Sequence, residues 1–292
     1  MKGGEPSALG SADLASADYA DRGHAKASTI AARPAPPIPI FVINLARDVA
    51  RMQTMDHALR ELGLEYERVE AFDGRANLPR VRQWLRREFF SRRLNRPLTV
   101  GELGCTLSHV RVLRAVTRRQ LAAAIIFEDD VEFGPGFAAF VRNELPVLLR
   151  RCDVIKLEGI RDRRSSRAGV RLARSSFGDV FVPLRPSLGS AAYAVNRAGA
   201  RRLLRCYKRL DRPIDHLLAA YDQHGAIFAE FTQFPSRQIA GDSNIAAERK
   251  RTLPAPRSFF GQITSRIRVA CTGIIRIARI SAVFVRRGLG AK

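Results

Sequence analysis

The apolar positions of this chain follow two rhythms that alternate along it. Residues 38–45, IPIFVINL, are apolar almost without a break over the length of a strand. A run without polar alternation is that of a strand covered on both faces. The rhythm then changes: Met52, Met55, Leu59 and Leu62 recur every three or four residues, which predicts a helix. Asp48 is placed to cap its start, and Gly63 to take a left-handed conformation at its end. Residues 64–71 resume extended structure, and Asp73-Gly74 turns the chain. Strand, helix, strand in this order opens a parallel sheet.

Residues 75–97 crowd arginines around Leu78, Val81, Trp84, Leu85, Phe89 and Phe90, which predicts a basic helical excursion over the sheet edge. Thr99-Val-Gly-Glu102 is a capping box, in which the Thr99 hydroxyl and the Glu102 carboxylate each satisfy a backbone N–H at a helix start. Its helix carries Leu103, Leu107, Val110, Leu113 and Val116 as the buried stripe and leads into residues 122–133, AAAIIFEDDVEF. There an apolar strand runs straight into three carboxylates.

Beyond it the pattern stays α/β. Residues 137–149 read as a helix, 153–157 as a strand and 161–174 as a basic loop or hairpin; 180–184 and 190–195 are extended. Asn196 can cap a helix to about residue 210, Asp215 lies at or near another helix start, and 226–231 is the last expected strand. GDSNI, residues 241–245, closes the ordered part.

Composition changes this picture at the two ends. Residues 1–37 are rich in Ala, Gly, Ser, Asp and Pro, without apolar period, and are expected to form a disordered leader. No basic stretch followed by an apolar one predicts a secretory signal. The globular part spans 38–248, and 249–292 forms a basic amphipathic tail. Drawn as a helix, the tail gathers Arg268, Arg276, Arg279, Arg286 and Arg287 on one arc and leaves Ile267, Ile274, Ile277, Ile280, Phe284 and Val285 elsewhere. The arginines exclude an ordinary membrane span and favour a helix in an anionic lipid interface. Packing of that face on the body of the protein is the alternative.

Lys and Arg number 50 against 28 Asp and Glu, a formal charge of +22, which draws the protein to phospholipid, nucleic acid or a phosphorylated substrate. Cys105, Cys152, Cys206 and Cys271 form no C-x-x-C pair and have no histidine at the usual zinc spacing, so they are expected to be buried thiols in a reducing compartment.

Chemistry is concentrated in Glu128, Asp129 and Asp130. Open α/β sheets bind ligands at the carboxyl ends of their strands, and three adjacent carboxylates are relieved by an oxygen-seeking divalent cation, Mn²⁺ or Mg²⁺. A solvated acidic turn is the competing account.

Four blocks, IFVINLARDVARM with LGLEYERVEAFDG, LTVGELGCTLSHVRVLRAV, AAIIFEDDVEF, and SAAYAVNRAGARRLL with PIDHLL, run in order over roughly residues 38–245. Together they resemble glycosyltransferase family 25, which includes bacterial lipooligosaccharide galactosyltransferases and collagen galactosyltransferases. The resemblance implies a single catalytic domain of GT-A type, with a Rossmann-like mixed or parallel sheet flanked by helices. It also implies transfer of a hexose such as galactose, with inversion, from a nucleotide-sugar such as a UDP-sugar to a saccharide or glycolipid acceptor in lipopolysaccharide or related glycan synthesis. By that resemblance Asp130 is the direct metal ligand, and Glu128 or Asp129 shares the metal or holds the ribose. Asp215 is the candidate general base, with helix capping as its other role, and His216 and His224 are close alternatives as metal ligand or base. Ser108 and His109 are candidate nucleotide contacts, or helix residues that simply face the sheet. Asn44 and Arg47 follow the first strand, where the nucleotide pocket is expected, and Arg suits a diphosphate. Gly189 and Ser190 permit close approach of another group to the backbone.

Such an enzyme would work in the cytoplasm, peripheral to the inner face of the cytoplasmic membrane. Two other classes compete. A nucleic-acid-binding protein would explain the charge, but no helix-turn-helix, zinc module or aromatic-basic strand signature is present, so no specific nucleic-acid partner is expected. A noncatalytic member of the same fold would have little use for the carboxylates. No feature of the sequence sets an oligomeric state.

Overall fold

The computed structural model describes residues 37–77, 79, 90–91, 96–160, 169–207 and 212–239, with 275, 276, 278 and 282 near the C-terminus. The leader expected over 1–37 lies, apart from residue 37, outside the described residues, as do GDSNI and most of the tail.

The first apolar run forms β1 (Ile40–Asn44), every residue of it buried. Helix α1 (Val49–Glu61) turns Met55 and Leu59 inward, and Gly63 closes it at φ 60°. Asp48 occupies the cap position, yet its side chain makes no capping bond; its carboxylate lies 3.9 Å from Arg47 Nε instead. Strand β2 (Glu67–Glu70) then pairs parallel with β1, as the strand-helix-strand pattern requires. Where a helical excursion was expected, the described part of 75–97 includes a two-stranded antiparallel ribbon, β3 (Phe90–Ser91) with β4 (Arg96–Pro97).

Helix α2 (Val100–Arg118) starts at the full capping box, with Thr99 Oγ1 accepting from Glu102 N at 3.1 Å and Glu102 Oε2 accepting from Thr99 N at 2.9 Å. Strand β5 (Ala123–Glu128) lies parallel to β1, with Ile43 opposite Glu128. Ile125, Ile126 and Phe127 are wholly buried, and each gains about 1.5–3 kcal/mol by leaving water. Core packing therefore fixes where Glu128 stands. Asp129 and Asp130 form a turn into β6 (Val131–Phe133), which belongs to another small sheet.

The helix expected over 137–149 is two helices, α3 (Phe137–Asn143) and α4 (Leu145–Arg151), broken at Glu144 because Pro146 supplies no N–H and suits a new first turn. Strand β7 (Val154–Lys156) follows. The basic stretch ends in β8 (Gly169–Ser175), a hairpin with β9 (Gly178–Pro183). Strand β10 (Ala192–Asn196) runs antiparallel between β5 and β7, and Asn196 Oδ1 caps α5 (Arg197–Tyr207) by accepting from Gly199 N at 2.8 Å. Short helices α6 (Ile214–Leu218) and α7 (Tyr221–His224) precede β11 (Phe228–Phe231). That strand was expected to be the last, but β12 (Ser236–Gln238) follows it and pairs with β6.

The large sheet has eight strands in the order β2-β1-β5-β10-β7-β11-β9-β8, parallel in its first three and mixed beyond. Helices flank this α/β sheet, and its buried side chains form one continuous core. No helix among the described residues is long and apolar enough to cross a membrane.

The tail departs from the lipid-facing reading at one residue. Arg276 is 6% exposed and lies against the body of the protein. Its Nε donates to Asp222 Oδ1 at 3.0 Å and its other nitrogens to the carbonyls of Leu184 and Ala219, both at 3.2 Å. The guanidinium stacks 5.0 Å from the centre of the Tyr221 ring. A buried aromatic and a buried carboxylate give this arginine a better partner than water or a headgroup.

Candidate functional site

Because β1, β2 and β5 are parallel, their carboxyl ends face the same way, and the loop entering antiparallel β10 arrives at that end too. Between them lies a cleft of about 800 Å³. Glu128, Asp129 and Asp130 reach it from β5, Arg47 from the end of β1, Gly189 and Ser190 from the loop before β10, and Asp215 from α6.

The three carboxylates are held in three different ways. Glu128 Oε1 meets His109 Nε2 at 3.1 Å and accepts from Ser190 Oγ at 2.8 Å. Burial pushes its pKa up, but the hydrogen bond and charge of His109, with the Ser190 bond and Arg51, more than offset this and leave it lowered. Asp129 accepts from Asn44 Nδ2 at 2.6 Å and pairs with Arg51 at 3.1 Å; burial still leaves its pKa raised. Asp130 receives Arg51 at 2.5 Å and Gln238 Nε2 at 3.0 Å, both on Oδ2. Its Oδ1 is buried and has no hydrogen-bond partner among the described residues. Burial first, and the charge of Glu128 next, push its pKa up to about 6.

An orphaned carboxylate oxygen beside two more carboxylates is what an oxygen-seeking cation would satisfy. The donor set at Asp129 and Asp130 is all oxygen, so the residues present fit Mn²⁺ or Mg²⁺. The single Arg51 guanidinium pairs with both carboxylates.

Of the other candidates, Arg47, Ser108 and His109 line the cleft and Asn44 braces it. Asn44 sits below Asp129, donating to it and to Asp48 O at 3.0 Å while accepting from Arg68 at 2.7 Å. Ser108 Oγ accepts from Phe72 N at 2.8 Å and donates to Gly104 O at 2.8 Å, pinning the turn after β2 to α2. His109 is wholly buried, its Nδ1 3.2 Å from the Tyr193 hydroxyl. Arg47 pairs with Asp73 at the cleft rim and is half-exposed.

Gly189 has φ 104°, and a Cβ there would come within 2.6 Å of Glu158 Oε1. The group that approaches this backbone closely is therefore the protein's own Glu158, which also accepts from Ala191 N at 3.0 Å. Lys156, buried beside it, donates to Leu188 O at 2.7 Å and lies 4.0 Å from Glu158. Burial outweighs that lysine and raises the Glu158 pKa to about 7. Glu230 ties down the same loop by accepting from Ser187 N at 2.7 Å and Ser187 Oγ at 2.8 Å.

Asp215 is the second residue of α6, 7% exposed, with Oδ1 accepting from His216 N at 2.8 Å. It is the one candidate on that side of the chain that borders the cleft. His216 does not border it, and His224 is buried on α7.

Sequence reasoning passed over Asp73, Arg51 as the counter-charge, Gln238, Glu158 and Cys105. Gln238 had no signal, because a three-residue strand shows no period. Cys105 had one: it stands four residues before His109 on α2, on the same helical face. The expectation of a merely buried thiol is corrected there, since Cys105 is half-buried and lines the cleft, its Sγ 3.8 Å from Glu128 Oε1.

The family model described as glycosyltransferase family 25 (LPS biosynthesis protein) matches residues 37–218. A glycosyltransferase 25 family member of Drosophila pseudoobscura pseudoobscura is 31% identical over 192 residues, 63% of this chain and 30% of that protein. Procollagen galactosyltransferase 2 of Mus musculus is 36% identical over 126 residues, 41% of this chain and 19% of that protein. Inactive glycosyltransferase 25 family member 3 of Homo sapiens is 32% identical over 203 residues, 63% of this chain and 32% of that protein. The chain thus spans a third or less of the length of these relatives.

Proposed function

Since the chain belongs to glycosyltransferase family 25, we propose that its cleft binds a nucleotide-sugar, UDP-galactose, and transfers the hexose with inversion to a saccharide hydroxyl. The observation that carries the reading is Asp130 Oδ1, buried without a partner among the described residues at the carboxyl end of β5. Galactose is favoured by relatives named procollagen galactosyltransferase. A lipopolysaccharide-type acceptor is favoured by the family description.

In this reading Asp130, with Glu128 or Asp129, holds Mn²⁺ or Mg²⁺, which when bound would offset charge on the departing diphosphate. Arg47, half-exposed at the rim, offers forked donors to the same diphosphate. Asn44 and Ser190 keep Asp129 and Glu128 oriented. Asp215 takes the proton of the acceptor hydroxyl as its oxygen bonds to the anomeric carbon, and the nucleoside diphosphate leaves with the electron pair of the broken bond. The excess of basic residues is assigned to an anionic surface, the cytoplasmic face of a membrane that carries a glycolipid acceptor.

A panel of nucleotide-sugars, with and without Mn²⁺, tests the reading through thermal stabilisation and donor turnover. Metal-dependent binding and hydrolysis of UDP-galactose are expected. Donor binding without turnover on any acceptor would make the chain a noncatalytic member, as one relative is named. Absence of donor binding would overturn the reading.

A further inference from the structure

Beside the carboxylate turn, and distinct from it in chemistry, three different ligand types meet. Cys105 and His109 lie one helical turn apart on α2, and Glu128 reaches them from β5. Glu128 Oε1 is 3.1 Å from His109 Nε2 and 3.8 Å from Cys105 Sγ, and one ligand atom from each residue lies within 4.8 Å of the others. We propose that Cys105, His109 and Glu128 form a second cation site, selective for a thiophilic ion of the Zn²⁺ class, that shares Glu128 with the oxygen-rich turn.

The donor set decides the class of ion. Mg²⁺ and Mn²⁺ favour all-oxygen surroundings, whereas a thiolate together with an imidazole favours Zn²⁺. Three protein ligands on the wall of an open cleft leave a fourth position for water, as in exchangeable zinc sites. The histidine is also oriented in advance. Its ring stacks on Tyr193 at 5.6 Å between centres, with Nδ1 3.2 Å from the Tyr193 hydroxyl, so that Nε2 is turned toward Glu128. A partner on the far nitrogen is the usual means of fixing a metal-binding imidazole. Tyr193 is wholly buried on β10 and Glu128 ends β5, which limits the movement needed to close on an ion.

Sharing Glu128 has a consequence for the cleft. A Zn²⁺ ion on Cys105 and His109 withdraws Glu128 from the Asp129-Asp130 turn and places a second positive charge beside it. Zn²⁺ therefore antagonises whatever Mn²⁺ or Mg²⁺ does there. The proposed binding does not rest on the transferase reading, because its test uses no sugar nucleotide.

Full-length protein, stripped with a chelator, is titrated with Co²⁺ as a spectroscopic stand-in for Zn²⁺. A sulfur-to-cobalt charge-transfer band with intense tetrahedral visible bands is expected, one equivalent in all, and Zn²⁺ should bleach it. Cys105→Ser should abolish the charge-transfer band, whereas Cys206→Ser should leave it intact. Tyr193→Phe, which keeps the ring and removes the hydroxyl, should weaken Co²⁺ binding by about 10-fold. Zn²⁺ should also slow alkylation of Cys105 in the wild type. Circular dichroism of each variant separates loss of a ligand from loss of fold. A folded wild type without the sulfur band, or a band that survives in folded Cys105→Ser, overturns the proposal.

Discussion

Arg276 and Asp222, 54 residues apart, form a buried ion pair at 3.0 Å, and the same guanidinium binds the carbonyls of Leu184 and Ala219. Ala219 is the residue directly after α6, the helix that bears Asp215, so this contact joins the C-terminal segment to the wall of the cleft. Tyr221 completes the arrangement, its hydroxyl donating to Pro183 O at 2.6 Å beneath the arginine.

Removing one member of a buried pair leaves an uncompensated charge, so Arg276→Ala is expected to cost about 3 kcal/mol. Urea denaturation measures it. Lysine should rescue little, since it cannot reach a carboxylate and two carbonyls with one planar group. Deletion of residues 259–292 should destabilise the protein at least as much. A truncated protein of unchanged stability would show that the arginine is dispensable.

Asp130→Asn separates function from folding. The substitution preserves shape and the contact with Gln238, while it removes the charge that burial and Glu128 oppose. Stability at pH 8 should hold or rise by about 1 kcal/mol, as is common where a site is built at the expense of the fold. Donor affinity in calorimetry should lose its dependence on Mn²⁺. Equal metal-dependent affinity in wild type and variant would remove Asp130 from the ligand set.

For Asp215 the two roles predict different measurements. As general base, Asp215→Asn should lower kcat by about 10²- to 10⁴-fold and leave donor binding nearly unchanged. As a helix-start residue whose Oδ1 takes the His216 N–H, it should instead cost about 1 kcal/mol of stability with turnover preserved.

Much of this arrangement was readable because it is local. The apolar runs of β1 and β5, the Thr99-Glu102 capping box and the Asn196 cap each announce themselves within a few residues, and the three carboxylates follow from β5 ending where it does. What was not readable is carried by long-range pairs. Gln238 meets Asp130 across 108 residues through a strand too short to show a period. Glu158 meets the backbone around Gly189 only because β7 and β10 are neighbours. Asp48 had the residue type of a cap, but its carboxylate lies toward Arg47 and leaves the helix N–H groups alone. Arg276 had the spacing of a lipid-facing residue, and a buried carboxylate on α7 claimed it.

His224 gives the fold a pH dependence whose sign can be worked out. It is buried on α7, with Nδ1 accepting from Ala226 N at 3.1 Å and Nε2 3.2 Å from Leu218 O. The neutral ring satisfies both contacts, as acceptor at Nδ1 and donor at Nε2. A proton on Nδ1 would set two donors against each other. Burial accordingly lowers the pKa from 6.5 to about 4, against the opposing Leu218 bond and the charges of Asp222 and Asp153 and with a smaller contribution from Arg202. The unfolded chain therefore binds the proton first as pH falls, and stability fully present above about 6.5 is lost toward 4. The difference corresponds to on the order of 3 kcal/mol. His224→Gln, which keeps a donor and an acceptor but cannot titrate, should be less stable than wild type at pH 7. Its stability should fall less steeply than that of the wild type between pH 6.5 and 4. Denaturant midpoints measured at half-unit intervals across that range would give the two slopes, and parallel curves would exclude His224 as the source.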